Sequence, residues 1–278
     1  MRPTRIREKM MKKHFILSAL MAGLVLFSSC SEKDNKDDND NTATSGQRLE
    51  KITRFEEGYS SKTRVTTMAW DGDRLQSVTE TRPESGDEKH WNFNYSGNKL
   101  STMEYYRGDV LRATYQLSYN GDNPTEVTET RAESGSSTRY TIGYNSNGEM
   151  TSVKCIKGKD MGNNEVANLT WQNGNVTKMQ CVRESGTKTW NYTYDNKMSG
   201  YTGMGVAVFT IIDEIYDGGV YYLSKNNVLT EQRIDSNGET STKQYTYTYD
   251  GDYPLTCSAG ISSWYFKYVG KSDPAPAY

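Results

Sequence analysis

QYTYTYDGDYPL, residues 244–255, places Tyr245, Tyr247 and Tyr249 at alternate positions and then reaches an Asp-Gly pair. Because successive side chains of a strand point to opposite faces, alternate aromatic residues share one face of a β-sheet. Asp-Gly supplies the positive φ angles that a tight hairpin turn needs. The stretch therefore predicts the end of one strand, a turn, and the start of an antiparallel neighbour.

The same arrangement recurs along the chain at intervals of 23 to 28 residues. In each copy an aromatic residue precedes a turn and apolar residues follow it, as in Tyr95-Ser-Gly-Asn-Lys-Leu100 and then Met103. A second turn, such as Glu133-Ser-Gly135, separates consecutive copies. Eight hairpins predict about sixteen strands, with single strands also predicted at Leu49–Phe55 and Trp264–Tyr268. The aromatic positions are Trp70, Tyr95, Tyr119, Tyr144, Trp171, Tyr194, Tyr222 and Tyr249, and the copies at Tyr194 and Tyr222 are degenerate.

After each turn the apolar residues are spaced by three and then by two, as in Met150, Val153 and Cys155. A spacing of three breaks the strand alternation. Either the first apolar residue belongs to the turn, or a β-bulge follows it. Of these two interpretations we favour the turn.

One apolar segment, residues 201–216, interrupts the repeat, and its pattern fits either a short helix or a buried strand. A barrel of sixteen tilted strands has a radius of roughly 16 Å, so inward side chains leave an open middle. The barrel must then flatten, contain a plug, or hold a ligand. We predict an all-β fold: a single long antiparallel up-and-down meander of about 16 strands, curled into a flattened or partly open barrel, with 201–216 packing on the concave face.

Residues 1–29 have the layout of a secretory signal peptide, with Lys12 and Lys13 ahead of the short apolar run 15–27. The run ends in Leu26-Phe-Ser-Ser-Cys30. Small residues before a cysteine resemble the lipobox of bacterial lipoproteins, which implies lipidation of Cys30. An ordinary signal peptide is the alternative.

Residues 30–47 are acidic and polar, which predicts a flexible tether. An acidic segment directly after the lipidated cysteine resembles the surface-export signal of Bacteroidota lipoproteins. That resemblance implies a lipid anchor in the outer membrane with the protein facing the cell exterior; a periplasm-facing anchor is the alternative. The hairpin repeats then occupy 48–270, and 271–278 form a C-terminal tail.

The repeat resembles two known groups of sequences. The motif of Trp70-Asp-Gly-Asp-Arg-Leu75 is similar to the tyrosine-aspartate repeats of Rhs-type shells and teneurins, although the glycine here mostly stands one residue earlier. Across roughly residues 48 to 270 the chain also resembles an uncharacterised family of Bacteroidota lipoproteins with a porin-like β fold. The resemblance implies an extended antiparallel meander and implies no chemistry.

A true outer-membrane porin is the competing interpretation of such a meander. Porin strands carry an aliphatic outer face, with aromatic girdles only at their ends. Here tyrosines run the whole length of the strand, and Asn92, Asn94, Thr246 and Thr248 stand opposite them. Such residues suit water rather than lipid, so we expect membrane contact through the lipid anchor alone.

The charge balance argues against nucleic-acid partners. Without residues 1–29, which hold six bases and one acid, the chain has 27 bases and 34 acids and a net charge of −7. Polyanion sites need concentrated positive charge. We therefore predict no nucleic-acid binding.

Few residues suggest catalysis or metal binding. His90 is the only histidine after the signal segment, which disfavours His-based triads and most zinc sites, and we expect it to point to solvent. Turns such as Asp71-Gly-Asp73 are explained by turn chemistry without calcium. We predict no catalytic residue, no metal, no cofactor and no enzymatic activity.

Cys155 and Cys181 each follow a turn glycine by seven residues, which places them at equivalent points on one face. One strand should lie between them, so their Cα atoms should be about 9.6 Å apart. A disulfide needs about 7 Å or less. We predict buried thiols at both positions.

Aromatic faces also stack on ligands, and their polar tips form hydrogen bonds. The candidate ligand-binding residues are Trp91, Trp171, Trp190, Tyr245 and Tyr247, with core packing as the alternative role. The leading hypothesis is a non-catalytic, surface-anchored binding module for a glycan, peptide or lipid. A structural or interaction protein whose interior is filled by 201–216 is the alternative, and a hydrolase that uses only carboxylates is the third.

Overall fold

The computed structural model describes residues 47–59, 62–157, 165–201, 204 and 218–276. The predicted signal peptide, nearly all of the tether, and residues 202–203 and 205–216 of the predicted plug lie outside these residues. No α-helix occurs in the described ranges, and none of their residues forms a helix long and apolar enough to cross a membrane. The strands are β1 (Leu49–Glu56), β2 (Arg64–Asp71), β3 (Arg74–Arg82), β4 (Asp87–Ser96), β5 (Lys99–Arg107), β6 (Val110–Asn120), β7 (Asn123–Arg131), β8 (Ser137–Tyr144), β9 (Met150–Lys157), β10 (Glu165–Gln172), β11 (Asn175–Arg183), β12 (Gly186–Met198), β13 (Asn226–Ile234), β14 (Thr240–Gln244), β15 (Thr246–Asp250), β16 (Tyr253–Ala259) and β17 (Ser262–Tyr268).

Apart from β14 and β15, which do not pair with each other, the strands pair antiparallel with their neighbours in chain order, as a meander requires. The last strand, β17, pairs with the first, β1, from Leu49 opposite Tyr268 to Glu56 opposite Ser262. The predicted all-β antiparallel meander is therefore confirmed. Its 17 strands form a nearly closed barrel with one unsealed seam.

A β-bulge follows the turn in every hairpin. In β4–β5, Asn94 pairs with Thr102 and Tyr95 pairs with Leu100, so Ser101 is an extra residue. The extra residue brings Leu100 and Met103 onto the same buried face. Assigning the spacing of three to the turn was therefore wrong, because the bulge lies within the second strand. The eight extra residues are Glu50, Gln76, Ser101, Thr125, Thr151, Thr177, Leu229 and Leu255.

The eighth hairpin is formed by the last strand, β17, and the first strand, β1, which no turn connects. Tyr268 pairs with Leu49, with Glu50 as the bulge residue, as an aromatic residue and its apolar partner do in the other hairpins. The predicted copy at Tyr222 is wrong, because Tyr194 pairs with Val228 and residues 199–225 are an insertion within one hairpin. Regular spacing along the chain does not show which residues pair with each other on neighbouring strands.

The seam lies along a strand that is interrupted at Tyr245. β14 precedes Tyr245 and pairs with β13, whereas β15 follows it and pairs with β16. Within the described residues neither β14 nor β15 has a ladder on its other side. Counted as one strand, β14 and β15 restore the sixteen strands that eight hairpins require.

The inner face of each strand changes character along the barrel axis. On β4, Tyr95, Phe93, Trp91 and Lys89 share the inner face in that order, and Phe93 and Trp91 are buried. We call the end of the barrel that carries the repeat aromatics the aromatic end, and the opposite end, reached at Lys89, the charged end. The apolar core lies between the two ends.

The outer face is polar, as predicted. Asn94, Thr246 and Thr248 are exposed, and Thr248 and Thr256 share a hydrogen bond of 2.7 Å between their hydroxyls. His90 also lies on this face, where it stacks on Tyr106 with 4.5 Å between ring centroids.

The cysteines confirm the predicted strand order. Cys155 on β9 and Cys181 on β11 have β10 between them. Both are buried thiols, as is Cys257 on β16.

Candidate functional site

The repeat aromatics form a ring of hydrogen bonds at the aromatic end. The Tyr95 hydroxyl donates to the Leu75 carbonyl at 2.9 Å, and the Tyr119 hydroxyl donates to the Leu100 carbonyl at 2.7 Å. Each acceptor is the residue just before the bulge of the preceding hairpin, so each link joins two successive hairpins. The other links of this kind run from Trp70 to Leu49, Tyr144 to Pro124, Trp171 to Met150, Tyr194 to Val176, and Tyr268 to Pro254.

The eighth repeat aromatic, Tyr249, lies at the seam and departs from this rule. By analogy with the other seven it would donate to the carbonyl of Val228, but its hydroxyl donates to the Asp195 carboxylate at the end of β12. Asp195 also accepts the backbone N–H of Asn227 at 3.0 Å and its side-chain amide at 3.1 Å. The end of β12 thus bridges part of the seam.

Burial raises the pKa of the ring tyrosines above the usual value for a phenol. The pKa of Tyr144 rises to about 12. The pKa of Tyr249 is also raised, first by burial and then by its hydrogen bond to the negative Asp195 carboxylate. These hydroxyls therefore remain protonated donors at neutral pH.

A cavity of about 410 Å³ lies at the aromatic end, against the rings of Tyr119, Tyr144 and Trp171. Lys99 also lines it, but its ammonium group is 3.3 Å from Asp122. Lysine and aspartate therefore largely compensate each other in this cavity.

A second cavity, which we call the tyrosine pocket, occupies about 530 Å³ beside the seam. Its aromatic walls come from β15, β17, the interruption between β14 and β15, and the insertion at 199–225. Charged side chains from β1, β2, β3, β4, β13 and β14 complete it. The aromatic lining residues are Tyr201, Tyr221, Tyr222, Tyr245, Tyr247, Trp264 and Phe266, and the charged ones are Arg54, Arg64, Glu80, Lys89, Glu231 and Lys243.

One wall of the tyrosine pocket is a hydrogen-bonded cluster around Glu231. The hydroxyls of Tyr221 and Tyr245 donate to the same carboxylate oxygen, at 2.9 and 3.2 Å, and lie 2.8 Å from each other. Burial, followed by the interactions with the neighbouring Tyr245 hydroxyl and the Glu231 carboxylate, raises the pKa of Tyr221 well above its usual value. The Glu231 carboxylate is therefore held in one orientation by two neutral phenols.

Two cations lie over the ring of Trp264, which is next to Tyr245 with 6.3 Å between ring centroids. The Arg54 guanidinium is 5.4 Å from the ring centroid, and the Lys243 ammonium is 5.2 Å from it. The same lysine is 4.9 Å from the centre of the Tyr245 ring. Cation–π attraction therefore positions both charges beside the pocket.

A third cavity, of about 640 Å³, lies at the charged end beside β5, β6 and β7. Three of its charged side chains, Arg107, Arg131 and Glu129, have polar partners. Arg107 is 3.1 Å from Asp87, Arg131 is 3.4 Å from Glu129, and the Tyr140 hydroxyl donates to Glu129 at 3.2 Å.

The charged end is the functional feature that the sequence analysis missed. The signal was present, because Val-Thr-Glu-Thr-Arg occurs twice, at 78–82 and 127–131. Arg107 and Arg183 also follow their buried methionines, Met103 and Met179, by four residues. Continuing the inner-face alternation beyond the apolar residues would have placed these basic groups inside the barrel.

The structure does not bring the five predicted ligand-binding residues together. Tyr245 and Tyr247 line the tyrosine pocket, whereas Trp171 lines the cavity at the aromatic end. Trp91 is in the core, stacked on Tyr105 with 5.2 Å between ring centroids. Trp190 is 1% exposed and lies against Gly218, where a Cβ atom would be 2.8 Å from the indole nitrogen.

The described residues include no group of three or more His, Cys, Asp or Glu side chains placed to hold a metal ion. What the tyrosine pocket offers is ring faces for stacking, phenol and carboxylate groups for hydrogen bonding, and several cations. These groups suit reversible binding of a polar molecule that also carries an apolar face.

Comparisons with known proteins support the fold. No protein-family model matches the chain, and no curated protein matches it. A porin-like protein from Bacteroides uniformis superposes with a TM-score of 0.54 at 14% identity, covering 79% of this chain and 96% of that one. A porin-like protein from Bacteroides vulgatus gives a TM-score of 0.40 at 10% identity, covering 81% of this chain and 100% of that one. The first likeness shows that this chain shares the fold of a porin-like β-barrel.

Proposed function

We propose that the protein is a non-catalytic binding module, held at the outer membrane by a lipid on Cys30 and facing the cell exterior. Its ligand, a glycan, peptide or lipid, enters the tyrosine pocket. The observation that supports this is the pocket itself, about 530 Å³ in which ring faces and cations meet. Ligand sites in proteins are typically cavities of about 300–1,000 Å³ with apolar walls and a few polar groups.

The outer surface of the barrel supports anchoring by lipid rather than by the strands. A membrane-spanning barrel presents an apolar band to the bilayer. Here the outer positions include exposed Asn94 and Thr246 and the hydroxyl pair of Thr193 and Thr230, 2.6 Å apart. These groups favour water around the barrel.

The anchor is tested by changing Cys30 to serine in cells that make the full chain. We expect the wild type to incorporate labelled palmitate, and to be digested when protease is added to intact cells. The Cys30→Ser chain should incorporate no label. Labelling of the variant would contradict the assignment of Cys30, and protection of the wild type from protease would favour the periplasmic face.

Binding is tested by calorimetry with a panel of oligosaccharides, short peptides and fatty acids. Tyr247→Leu keeps an apolar side chain but removes the ring and hydroxyl, so it should weaken binding about tenfold through lost stacking and hydrogen bonding. Tyr119→Leu makes the matched change in the cavity at the aromatic end and should leave affinity unchanged. If no member of the panel binds the wild type, the proposal fails.

A second candidate, a structural protein with a self-filled interior, has its own supporting observation. Met204 and Val220, which flank most of the predicted plug, are 4% and 0% exposed. The Tyr192 hydroxyl also donates to the Gly218 carbonyl at 2.9 Å. This candidate predicts that removal of 205–217 lowers the unfolding midpoint sharply and that the panel above gives no binding.

Carboxylate-only hydrolysis is the third candidate. Both carboxylates of the tyrosine pocket already have partners: Glu231 accepts two phenols, and Glu80 is 3.8 Å from Arg64. We propose that they orient a ligand and cleave nothing. Release of reducing ends from the oligosaccharide panel, abolished by Glu231→Gln, would contradict this.

A further inference from the structure

The tyrosine pocket carries more positive than negative charge, although the chain as a whole has a net charge of −2. Four cations face two carboxylates in its lining. Glu56, which is 2.7 Å from Arg54, adds a third carboxylate just outside the lining. Its other partner, Lys62 at 2.9 Å, adds a fifth cation, so the excess remains two.

Glu231 lies across the ladder from Lys243, and Glu80 lies across from Lys89, but among the described residues the one ion pair that either carboxylate forms is with Arg64. Glu231 is fixed by the hydroxyls of Tyr221 and Tyr245. Glu80 approaches Arg64 only to 3.8 Å, which is longer than a hydrogen bond. Part of the positive charge therefore faces the cavity.

Lys243 is the cation best placed to meet a ligand. It is exposed, and the contacts that position it are the faces of Tyr245 and Trp264. Cation–π attraction holds the ammonium group in place without using its N–H groups as hydrogen-bond donors. Those donors are therefore available to a ligand. A ligand carboxylate can accept those hydrogen bonds without the rings having to move.

We infer that the tyrosine pocket selects anions, namely small carboxylates that also carry a ring or apolar face. The carboxylate contacts Lys243, and the ring stacks on Tyr247 or Phe266. Arg64 and Lys89 line the same pocket and add to its positive charge. This inference rests on the proposed binding function and adds the charge of the ligand. The carboxylate can belong to a sugar acid or to an amino-acid derivative.

Two matched pairs of probes test the inference by calorimetry on the full chain. Trigalacturonate is compared with neutral maltotriose, and N-acetylphenylalanine with its amide. Because hydrogen bonds to charged groups are stronger than neutral ones, the acid of the preferred pair should bind about tenfold more tightly than its neutral partner. The pair that shows the difference identifies the source of the carboxylate.

The variant Lys243→Gln keeps a polar side chain at an exposed position and removes the charge. We expect it to weaken binding of the acid about tenfold and to leave the neutral probe unchanged. Lys99→Gln is the matched control, because it removes a lysine from the cavity at the aromatic end. Affinity for the acid should also fall between about 0.05 M and about 0.5 M NaCl, since salt screens exposed charges.

The outcomes separate the two claims. Equal binding of acid and neutral probes, or equal weakening of both by Lys243→Gln, overturns the anion inference and leaves the binding function intact. Failure of all four probes together with the wider panel overturns the binding function, and the inference with it.

Discussion

In the regular hairpins and at the seam, the tyrosine that precedes the turn donates its hydroxyl hydrogen bond to two different kinds of acceptor. In the regular part, Tyr144 donates to the backbone carbonyl of Pro124 in the preceding hairpin. At the seam, Tyr249 donates to the carboxylate of Asp195 on β12. A backbone acceptor is available only where the preceding hairpin lies alongside. The comparison shows that the repeat aromatic needs an acceptor at that level of the barrel, and that a side chain supplies one where the ladder is absent.

The insertion at 199–225 accounts for the difference. It lies between Tyr194 and its partner Val228, where the other hairpins have short turns. At the end of β12, Met198 is paired with Asn226 of its own hairpin, and its N–H donates outside the hairpin to the Asp252 carbonyl at 3.0 Å. The interruption at Tyr245 follows beside this irregular hairpin and forms part of the tyrosine pocket. The departure from the repeat therefore coincides with the candidate site.

Deleting two residues at one bulge should break the regular part completely. Without Thr125 and Glu126, Val127 follows Pro124 directly and the residues of β7 beyond that point change faces, so Val127 would point outward and Thr128 inward. We expect no folded protein, as measured by circular dichroism and protease resistance. Thr125→Ser keeps the residue count and should fold normally. A folded deletion variant would show that the bulge does not determine the register.

Alkaline pH should reduce the stability that the buried repeat tyrosines give to the barrel. The buried tyrosines have folded-state pKa values raised above about 10, that of Tyr144 to about 12. Their contribution to stability is therefore fully present below about pH 10 and is lost as the pH rises towards the folded-state values, since the unfolded chain ionises first. Urea midpoints measured from about pH 8 to about pH 11 should fall in step with phenolate absorbance. Ionisation of the ring tyrosines near pH 10 without loss of stability would contradict this.

Removing single hydroxyls compares the two kinds of link directly. Tyr144→Phe leaves the Pro124 carbonyl without this donor and should cost about 1 kcal/mol of unfolding free energy, whereas Tyr249→Phe removes a bond to a charged acceptor and should cost about 2 kcal/mol. In an Asp195→Asn background, Tyr249→Phe should cost only as much unfolding free energy as the loss of a hydrogen bond to a neutral acceptor. A double-mutant cycle measures this difference as the coupling energy between Tyr249 and Asp195. Equal costs in both backgrounds would mean that the carboxylate contributes nothing special at the seam.

Thiol labelling sharpens the comparison without changing stability. Burial raises the pKa of Cys257 to about 12, so its thiol should react slowly in the native protein. Cys257 is on β16 beside the seam, and Cys181 is on β11 in the paired part of the barrel. Since local opening starts where ladders are missing, alkylation followed by mass spectrometry should detect Cys257 before Cys181. The reverse order would place the weakest region away from the seam.

The hairpins could be predicted because their information is local. Alternating aromatics and Asp-Gly turns indicate strand, turn and inner face within about a dozen residues, and seven of the eight hairpin aromatics were identified in this way. Tyr268 was missed because its hairpin pairs the last strand with the first, so no turn sequence follows the aromatic residue. Tyr222 was included wrongly because an insertion can resemble a copy in spacing.

The candidate site was only half predictable. Tyr245 and Tyr247 stood out because they belong to the most regular alternating stretch. Arg54, Lys89 and Lys243 come from β1, β4 and β14, so nothing in their local sequence shows that they share one pocket.

The sequence by itself determined the antiparallel hairpins, their polar and apolar faces, and the rings on the inner side. Side-chain alternation and turn geometry act between residues that are close along the chain, so both can be read directly. Tertiary structure alone decided that β17 closes on β1, where the seam falls, and which charges meet the tyrosines. Those choices depend on contacts between distant segments, such as Leu49 with Tyr268, 219 residues apart. Alternation shows which face of the sheet a residue occupies but not which strand lies beside it.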